Sequence, residues 1–140
     1  MRGHPLRPSV IAVVAVGGAV GALLRWGLTV AWPDPVDGFP WTIFAVNVVG
    51  AGVLALLPAF AAVRRRELLP PLLGTGVLGG FTTLSTYSDQ ARELVAHGRP
   101  AMAATYVVAT LAACLLVVAG ADRFSTAADR AEFDREEGDE

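Results

Sequence analysis

Residues 79 to 88 read Gly-Gly-Phe-Thr-Thr-Leu-Ser-Thr-Tyr-Ser, a pair of glycines followed by a cluster of hydroxyl side chains inside an otherwise apolar stretch. Paired glycines weaken a helix, and neighbouring hydroxyl groups offer its backbone alternative hydrogen bonds. We therefore predict a break in the helix between Gly79 and Thr83. On composition alone, a continuous helix whose hydroxyl groups bond to their own backbone explains the stretch equally well.

The rest of the chain is apolar enough to make a bilayer its solvent. Of its 140 residues 54% are hydrophobic and 17% are charged, and the mean hydropathy is +0.51. A spanning helix needs about 20 mostly apolar residues. Four stretches qualify, at about 9–30, 41–63, 70–91 and 101–121. We predict an all-α integral membrane protein with four transmembrane helices, the third broken at mid-membrane, where non-helical backbone must be buried in protein or line a polar cavity.

The connections between these stretches are short, so consecutive helices should alternate in direction. Arginines near the helix ends set the orientation, because cytoplasmic loops carry an excess of them. The N-terminal segment, the second connection and the start of the segment after the fourth stretch hold Arg2, Arg7, Arg64, Arg65, Arg66 and Arg123, and the first and third connections hold Arg92 and Arg99. Both termini are therefore predicted to be cytoplasmic, in a plasma-membrane protein.

The composition changes after residue 124. Residues 125–140 read STAADRAEFDREEGDE, rich in acids and poor in apolar side chains. Such a segment cannot bury a core. We predict a membrane domain over 1–124 and an acidic tail over 125–140 that is disordered or a frayed extension of the last helix.

Small residues indicate where helices meet, since close approach replaces the hydrophobic effect within lipid. Gly17 and Gly21, and again Gly76 and Gly80, have the GxxxG spacing. We expect these pairs to lie at helix–helix contacts.

Polar residues within the apolar stretches are the candidates for function. Asn47 must pair with another helix or face an aqueous path, and pairing is the commoner use of a buried amide. Arg25 either reaches to the membrane interface or attracts anions. In the fourth stretch a weakly polar stripe recurs every four residues, at Tyr106, Thr110 and Cys114, and helix packing accounts for it as well as a pore does.

Three motifs together resemble the CrcB/Fluc family of fluoride channels. They are G-G-x-x-G-A-x-x-R over Gly17 to Arg25, N-x-x-G over Asn47 to Gly50, and G-G-x-T-T-x-S-T over Gly79 to Thr86. The resemblance covers the chain apart from its tail.

This resemblance implies an antiparallel dimer of four-helix subunits, with two fluoride pathways and a structural Na⁺ at its centre. By motif position, backbone oxygens of Gly79 and Thr82 would hold the Na⁺, and Asn47 would donate a hydrogen bond to fluoride. The implied pathway residues are Asn47, Thr83, Leu84, Ser85, Tyr87, Tyr106, Thr110 and Cys114, with Arg25 attracting anions.

The chain departs from the family at an aromatic pair. The family's third helix usually reads F-S-T-F, whereas residues 84–87 here are Leu-Ser-Thr-Tyr. An aromatic ring presents a positive edge to an anion, and Leu84 cannot. Together with the arginine bias, this departure favours one half of a heterodimer with a second CrcB-like chain; a homodimer is the alternative.

The predicted function is passive export of F⁻ that relieves fluoride toxicity. A small multidrug-type exporter is a competing hypothesis, but it would be expected to carry a membrane carboxylate, and the embedded charge here is Arg25. A non-conducting assembly subunit is another. An enzyme is not expected, because the spans supply no nucleophile with a base, and His4 and His97 lie outside them.

Overall fold

The computed structural model describes residues 7–35 and 38–138, with side chains described as far as Arg123. Its long helices are α1 (Pro8–Ala31), α2 (Trp41–Leu56), α5 (Leu84–Ala96) and α6 (Pro100–Gly138). Its short elements are a 3₁₀ turn (Leu57–Ala59), α3 (Ala61–Arg64), a π-helical segment (Pro71–Leu78) and α4 (Gly79–Phe81). The described part of the chain is all-helical, which confirms the coarse fold class.

Among the described residues, three segments are long and apolar enough to cross a membrane: Pro8–Ala31, Trp41–Ala59 and Pro100–Arg123. The predicted third span, 70–91, is not among them. The break divides this span into two pieces: the π-helical segment together with α4, and α5. Neither piece reaches the length of a spanning helix.

The second span ends earlier than the predicted residue 63. The 3₁₀ turn contains Pro58, which has no N–H for the helical ladder. Phe60 then adopts an extended conformation, with φ −90° and ψ 108°. Residues 61–64 therefore belong to α3, a single separate turn.

At the other end of the chain, α6 continues to Gly138. The acidic tail was predicted to be either disordered or an extension of the last helix, and its backbone over 125–138 is helical. Residues 139 and 140 lie outside the described part. The boundary at 124 stays a prediction from composition.

Both glycine pairs lie at a contact between helical segments, as their spacing predicted. A Cβ placed on Gly17 would lie 2.6 Å from the carbonyl oxygen of Leu72, and one on Gly21 would lie 2.0 Å from that of Val77. Gly80 is as tightly packed, with the carbonyl oxygen of Gly18 only 2.2 Å from such a Cβ. Because contacts advance along both segments together, α1 and the segment 71–81 run in the same direction.

Helices α2 and α6 form a second pair. Gly52 of α2 meets Val117 of α6, where a Cβ on Gly52 would lie 2.5 Å from Cγ1 of the valine. An aromatic cluster joins one end of this pair to α5. Tyr106 has no exposed surface and packs edge-on against Phe39, with ring centroids 5.3 Å apart.

The connection before α2 is tied to the start of that helix. Both carboxylate oxygens of Asp34 accept from the N–H of Thr42, at 3.1 and 3.3 Å. The Thr42 hydroxyl donates to the carbonyl oxygen of Trp32 at 2.6 Å. A carboxylate at a helix N-terminus also opposes the positive end of the helix dipole, so this contact fixes where α2 begins.

Candidate functional site: the break and its groove

The helix break lies between α4 and α5. Thr82 has φ −76° and ψ 155°, and Thr83 has φ −149° and ψ 123°, both extended. The predicted break is confirmed, although Gly79 and Gly80 remain helical in α4 and the chain opens at the two threonines. Thr83 caps the new helix, since its Oγ1 accepts from the N–H of Thr86 at 3.1 Å.

Asn47 holds the break from the neighbouring helix α2. Its Oδ1 accepts from the N–H of Thr83 at 2.9 Å, and its Nδ2 donates to the carbonyl oxygen of Thr83 at 3.1 Å. The prediction that this amide joins helices is confirmed. An amide nitrogen carries two N–H groups, so one donor of Asn47 remains for a ligand.

These contacts leave two backbone carbonyls without their usual helical donors. In a continuous helix, the N–H of Thr83 would bond to the carbonyl of Gly79, and that of Thr86 to the carbonyl of Thr82. Here the first N–H goes to Asn47 and the second to the Thr83 hydroxyl. Gly79 and Thr82 are the residues whose oxygens the family resemblance assigned to a cation.

Those oxygens suit a small hard cation, which prefers oxygen ligands. In the part of the chain that the structure describes, no group of three or more His, Cys, Asp or Glu side chains could hold a metal. A cation at the break would therefore depend on oxygens of the backbone and of uncharged side chains. Two such oxygens are fewer than hard cations gather.

Arg25 lies on the α1 side of the break. Its half-buried side chain donates through Nε to the carbonyl oxygen of Gly80 at 3.4 Å, a long hydrogen bond. In a continuous helix this carbonyl would accept from the N–H of Leu84, across the break. The sequence offered an interfacial or an anion-attracting role for Arg25, and neither anticipated this contact.

A groove of about 340 Å³ opens beside the break. It contains six of the eight predicted pathway residues: Asn47, Thr83, Leu84, Tyr87, Thr110 and Cys114. None of the described residues that line it is charged. An anion in this groove would meet hydrogen-bond donors and apolar surface but no carboxylate.

The other two predicted pathway residues lie outside the groove lining. Tyr106 is buried in the aromatic cluster, where its hydroxyl donates to Oε1 of Gln90 at 2.9 Å. Ser85 is exposed, and its Oγ lies 3.2 Å from Oγ1 of Thr83. Sequence reasoning missed Gln90, whose signal was an uncharged polar side chain one helical turn beyond Thr86.

Several hydroxyl groups within the groove are already committed as donors. The Thr110 hydroxyl donates to the carbonyl of Tyr106 at 2.7 Å, and that of Tyr87 donates to the carbonyl of Val107 at 2.9 Å. The Thr110 hydroxyl is thus bonded to its own helix, so its proton is not directed to an ion in the groove. Tyr87 nevertheless remains among the residues that line the groove.

Gly50 also lines the groove, for a steric reason. A Cβ there would lie 2.3 Å from Cγ2 of Thr82. The absence of a side chain lets the break approach α2 closely enough for Asn47 to reach Thr83. The N-x-x-G motif therefore has a physical basis in this fold.

Comparison with known proteins agrees with this geometry. The family model described as CrcB-like protein, Camphor Resistance (CrcB), matches residues 12–121. This chain belongs to the CrcB family. The matched residues include the whole break and groove of this CrcB chain and exclude all of its acidic tail.

Its curated relatives carry the name of an ion channel. The chain is 46% identical over 111 residues to "Fluoride-specific ion channel FluC 1" of Streptomyces coelicolor, covering 78% of this chain and 72% of that protein. It is 42% identical over 132 residues to "Fluoride-specific ion channel FluC 2" of Nocardia farcinica, covering 90% of this chain and 94% of that protein. A third relative, "Fluoride-specific ion channel FluC 2" of Thermobifida fusca, is 41% identical over 125 residues, 87% of this chain and 93% of that protein.

Proposed function

We propose that this CrcB-family chain is a subunit of a fluoride-selective channel that lets F⁻ leave the cytoplasm passively and so relieves fluoride toxicity. The observation that carries the proposal is the break between α4 and α5, clamped by Asn47 and opening on an uncharged groove. The names of the relatives supply the ion.

The two ends of the break have opposite electrostatic character. The last carbonyls of α4 lie at the negative end of one helix, and the first N–H groups of α5, which have no partner within that helix, lie at the positive end of another. Broken membrane helices use such ends for cations and anions respectively. By the same principle, a cation would bind at the carbonyls of Gly79 and Thr82, and an anion would bind near the start of α5.

Fluoride would exchange its water for donors along the groove. The free N–H of Asn47 is the strongest of these, the Cys114 thiol is a weak donor, and the ring of Tyr87 offers its positive edge. If a second chain closes the groove into a narrow pathway, that pathway would favour a small anion over chloride, and moderate binding would let the ion leave. With no carboxylate in the described groove lining, the groove offers no proton-coupling group, which supports passive flow.

We propose an antiparallel dimer with four membrane-crossing segments in each chain, the third interrupted at mid-membrane. Leu84 lines the groove yet is 76% exposed, so the groove has an open side that a second chain would cover. A dimer would also bring two further carbonyl oxygens to the central cation, for which Na⁺ is our candidate.

The partner is either a second copy or a different CrcB-like chain. One argument for a different chain is Leu84 in place of an aromatic residue. Another is the arginine bias, which would fix both termini of this chain in the cytoplasm and leave the opposite orientation to the partner. Streptomyces avermitilis has relatives numbered FluC 2 and FluC 3, so one genome can supply two such chains.

The test is fluoride efflux from proteoliposomes that contain this chain alone. A fluoride electrode follows the efflux, and an ionophore clamps the membrane voltage. Rapid efflux of F⁻ without efflux of Cl⁻ is the expected result for a homodimer. If efflux requires coexpression with a second CrcB-like chain, the heterodimer is correct. If neither preparation carries F⁻ faster than empty vesicles, the channel proposal is wrong.

A further inference from the structure

The break leaves some backbone carbonyls occupied and others free, and side chains from other helices determine which. Asn47 of α2 takes both the N–H and the carbonyl of Thr83. Arg25 of α1 takes the carbonyl of Gly80. The carbonyls of Gly79, one residue before Gly80, and of Thr82, two residues after it, lose their helical donors and receive no side-chain donor among the described residues.

We propose that Arg25 is a positioning residue: by holding the Gly80 carbonyl, it fixes the last turn of α4 so that the carbonyls of Gly79 and Thr82 face a cation. Asn47 holds the other side of the break in the same way. The inference rests on the cation site proposed above. It gives Arg25 a role through the backbone, distinct from attracting anions.

The surroundings of Arg25 support this assignment. Gly21 lies one helical turn before it on α1, where the backbone is packed against Val77 and the N–H of Phe81. Gly18 packs against Gly80 itself, since a Cβ on Gly80 would lie 2.2 Å from the Gly18 carbonyl oxygen. The guanidinium therefore adds a side-chain contact to this rigid backbone packing, at the Gly80 carbonyl, which has lost its helical donor across the break. Arg25 is also absent from the groove lining.

An electrostatic role and a positioning role of Arg25 predict opposite effects of its removal on Na⁺ binding. The guanidinium is a cation, so if its charge alone mattered, removing it would reduce repulsion and strengthen Na⁺ binding. If it positions the carbonyls, removing it weakens Na⁺ binding despite the lost repulsion. The direction of the change thus separates the two roles.

The experiment measures the Na⁺ concentration that half-maximally stabilises the dimer, with choline replacing Na⁺ at constant ionic strength. Dimer fraction is read by light scattering after size exclusion, independently of transport. Arg25→Met removes the donor and the charge, and Arg25→Lys keeps the charge but lacks the planar Nε. Arg99→Met is the matched control, because Arg99 is exposed and its side chain has no part in the site.

We expect the Na⁺ midpoint to rise at least about tenfold in Arg25→Met, corresponding to about 1.4 kcal/mol. We expect a smaller rise in Arg25→Lys and no change in Arg99→Met. An unchanged or lower midpoint in Arg25→Met overturns the positioning role. If Arg25→Met does not fold, Arg25→Lys decides alone, and a wild-type midpoint in that variant overturns the role.

The proposed channel and this inference can fail separately. If the wild-type dimer is indifferent to Na⁺ while F⁻ efflux remains rapid, the cation site and the role of Arg25 are wrong and the channel stands. If efflux is absent but the midpoint shifts as expected, the role of Arg25 stands and the channel is wrong.

Discussion

Adding a methyl group to Gly21 should separate α1 from the segment that carries the break. The new Cβ of Gly21→Ala would lie 2.0 Å from the carbonyl oxygen of Val77 and 2.8 Å from the backbone nitrogen of Phe81. Both neighbours are backbone atoms, which cannot rotate away as a side chain can. Since real contacts of this kind keep at least 3.0 Å, the two segments must move apart locally by about 1 Å.

The cost of this separation has two sources. Overpacking a well-filled contact costs about 1–3 kcal/mol, and a gap of 0.5–1 Å elsewhere along the contact forfeits about a quarter to a half of its dispersion energy. The cost of overpacking alone lowers the ratio of folded to unfolded protein by about 5- to 150-fold. Because Phe81 is the last residue of α4, the displacement also reaches the break and should lower F⁻ efflux.

Gly27→Ala is the matched control on the same helix. A Cβ at Gly27 would meet nothing within 4 Å, and replacing a helical glycine by alanine stabilises the helix by about 0.5–1 kcal/mol. The assays are unfolding in a mixed-detergent titration and F⁻ efflux from proteoliposomes. Wild-type stability and efflux in Gly21→Ala, or an equal loss in both variants, would refute the packing argument.

Three further substitutions test the site and its support. Asn47→Ala leaves the half-buried N–H and carbonyl of Thr83 without their Asn47 partners, so we expect a loss of about 1–3 kcal/mol in unfolding free energy and of most F⁻ efflux; retention of both would contradict the clamp. Tyr106→Phe removes the bond to Gln90 and should cost about 1 kcal/mol with less than a twofold change in efflux, whereas a loss of F⁻ selectivity would show that Tyr106 contacts the ion. Leu84→Phe supplies an aromatic edge at the groove and should raise efflux by this chain alone; unchanged efflux would mean that Leu84 does not limit the pathway.

The amino-acid sequence by itself determined the helical class and the place of the break. The hydroxyl cluster after Gly79 and Gly80 lies in an apolar stretch, and this contrast does not depend on tertiary contacts. The GxxxG pairs were predictable for the same reason, because close helix contact in lipid requires small residues. The family motifs then located Asn47, Gly79 and Thr82 by position.

The tertiary structure decided which partners the polar groups choose. Thr110 and Tyr87 could have offered their hydroxyl groups to a pathway, but nearby carbonyls on α6 accept from them. The contact between Arg25 and Gly80 joins residues 55 positions apart, so no local sequence pattern predicts it. Local sequence fixes which backbone bonds are weakened, whereas only the packing of α1 and α2 against the break determines which donors replace them.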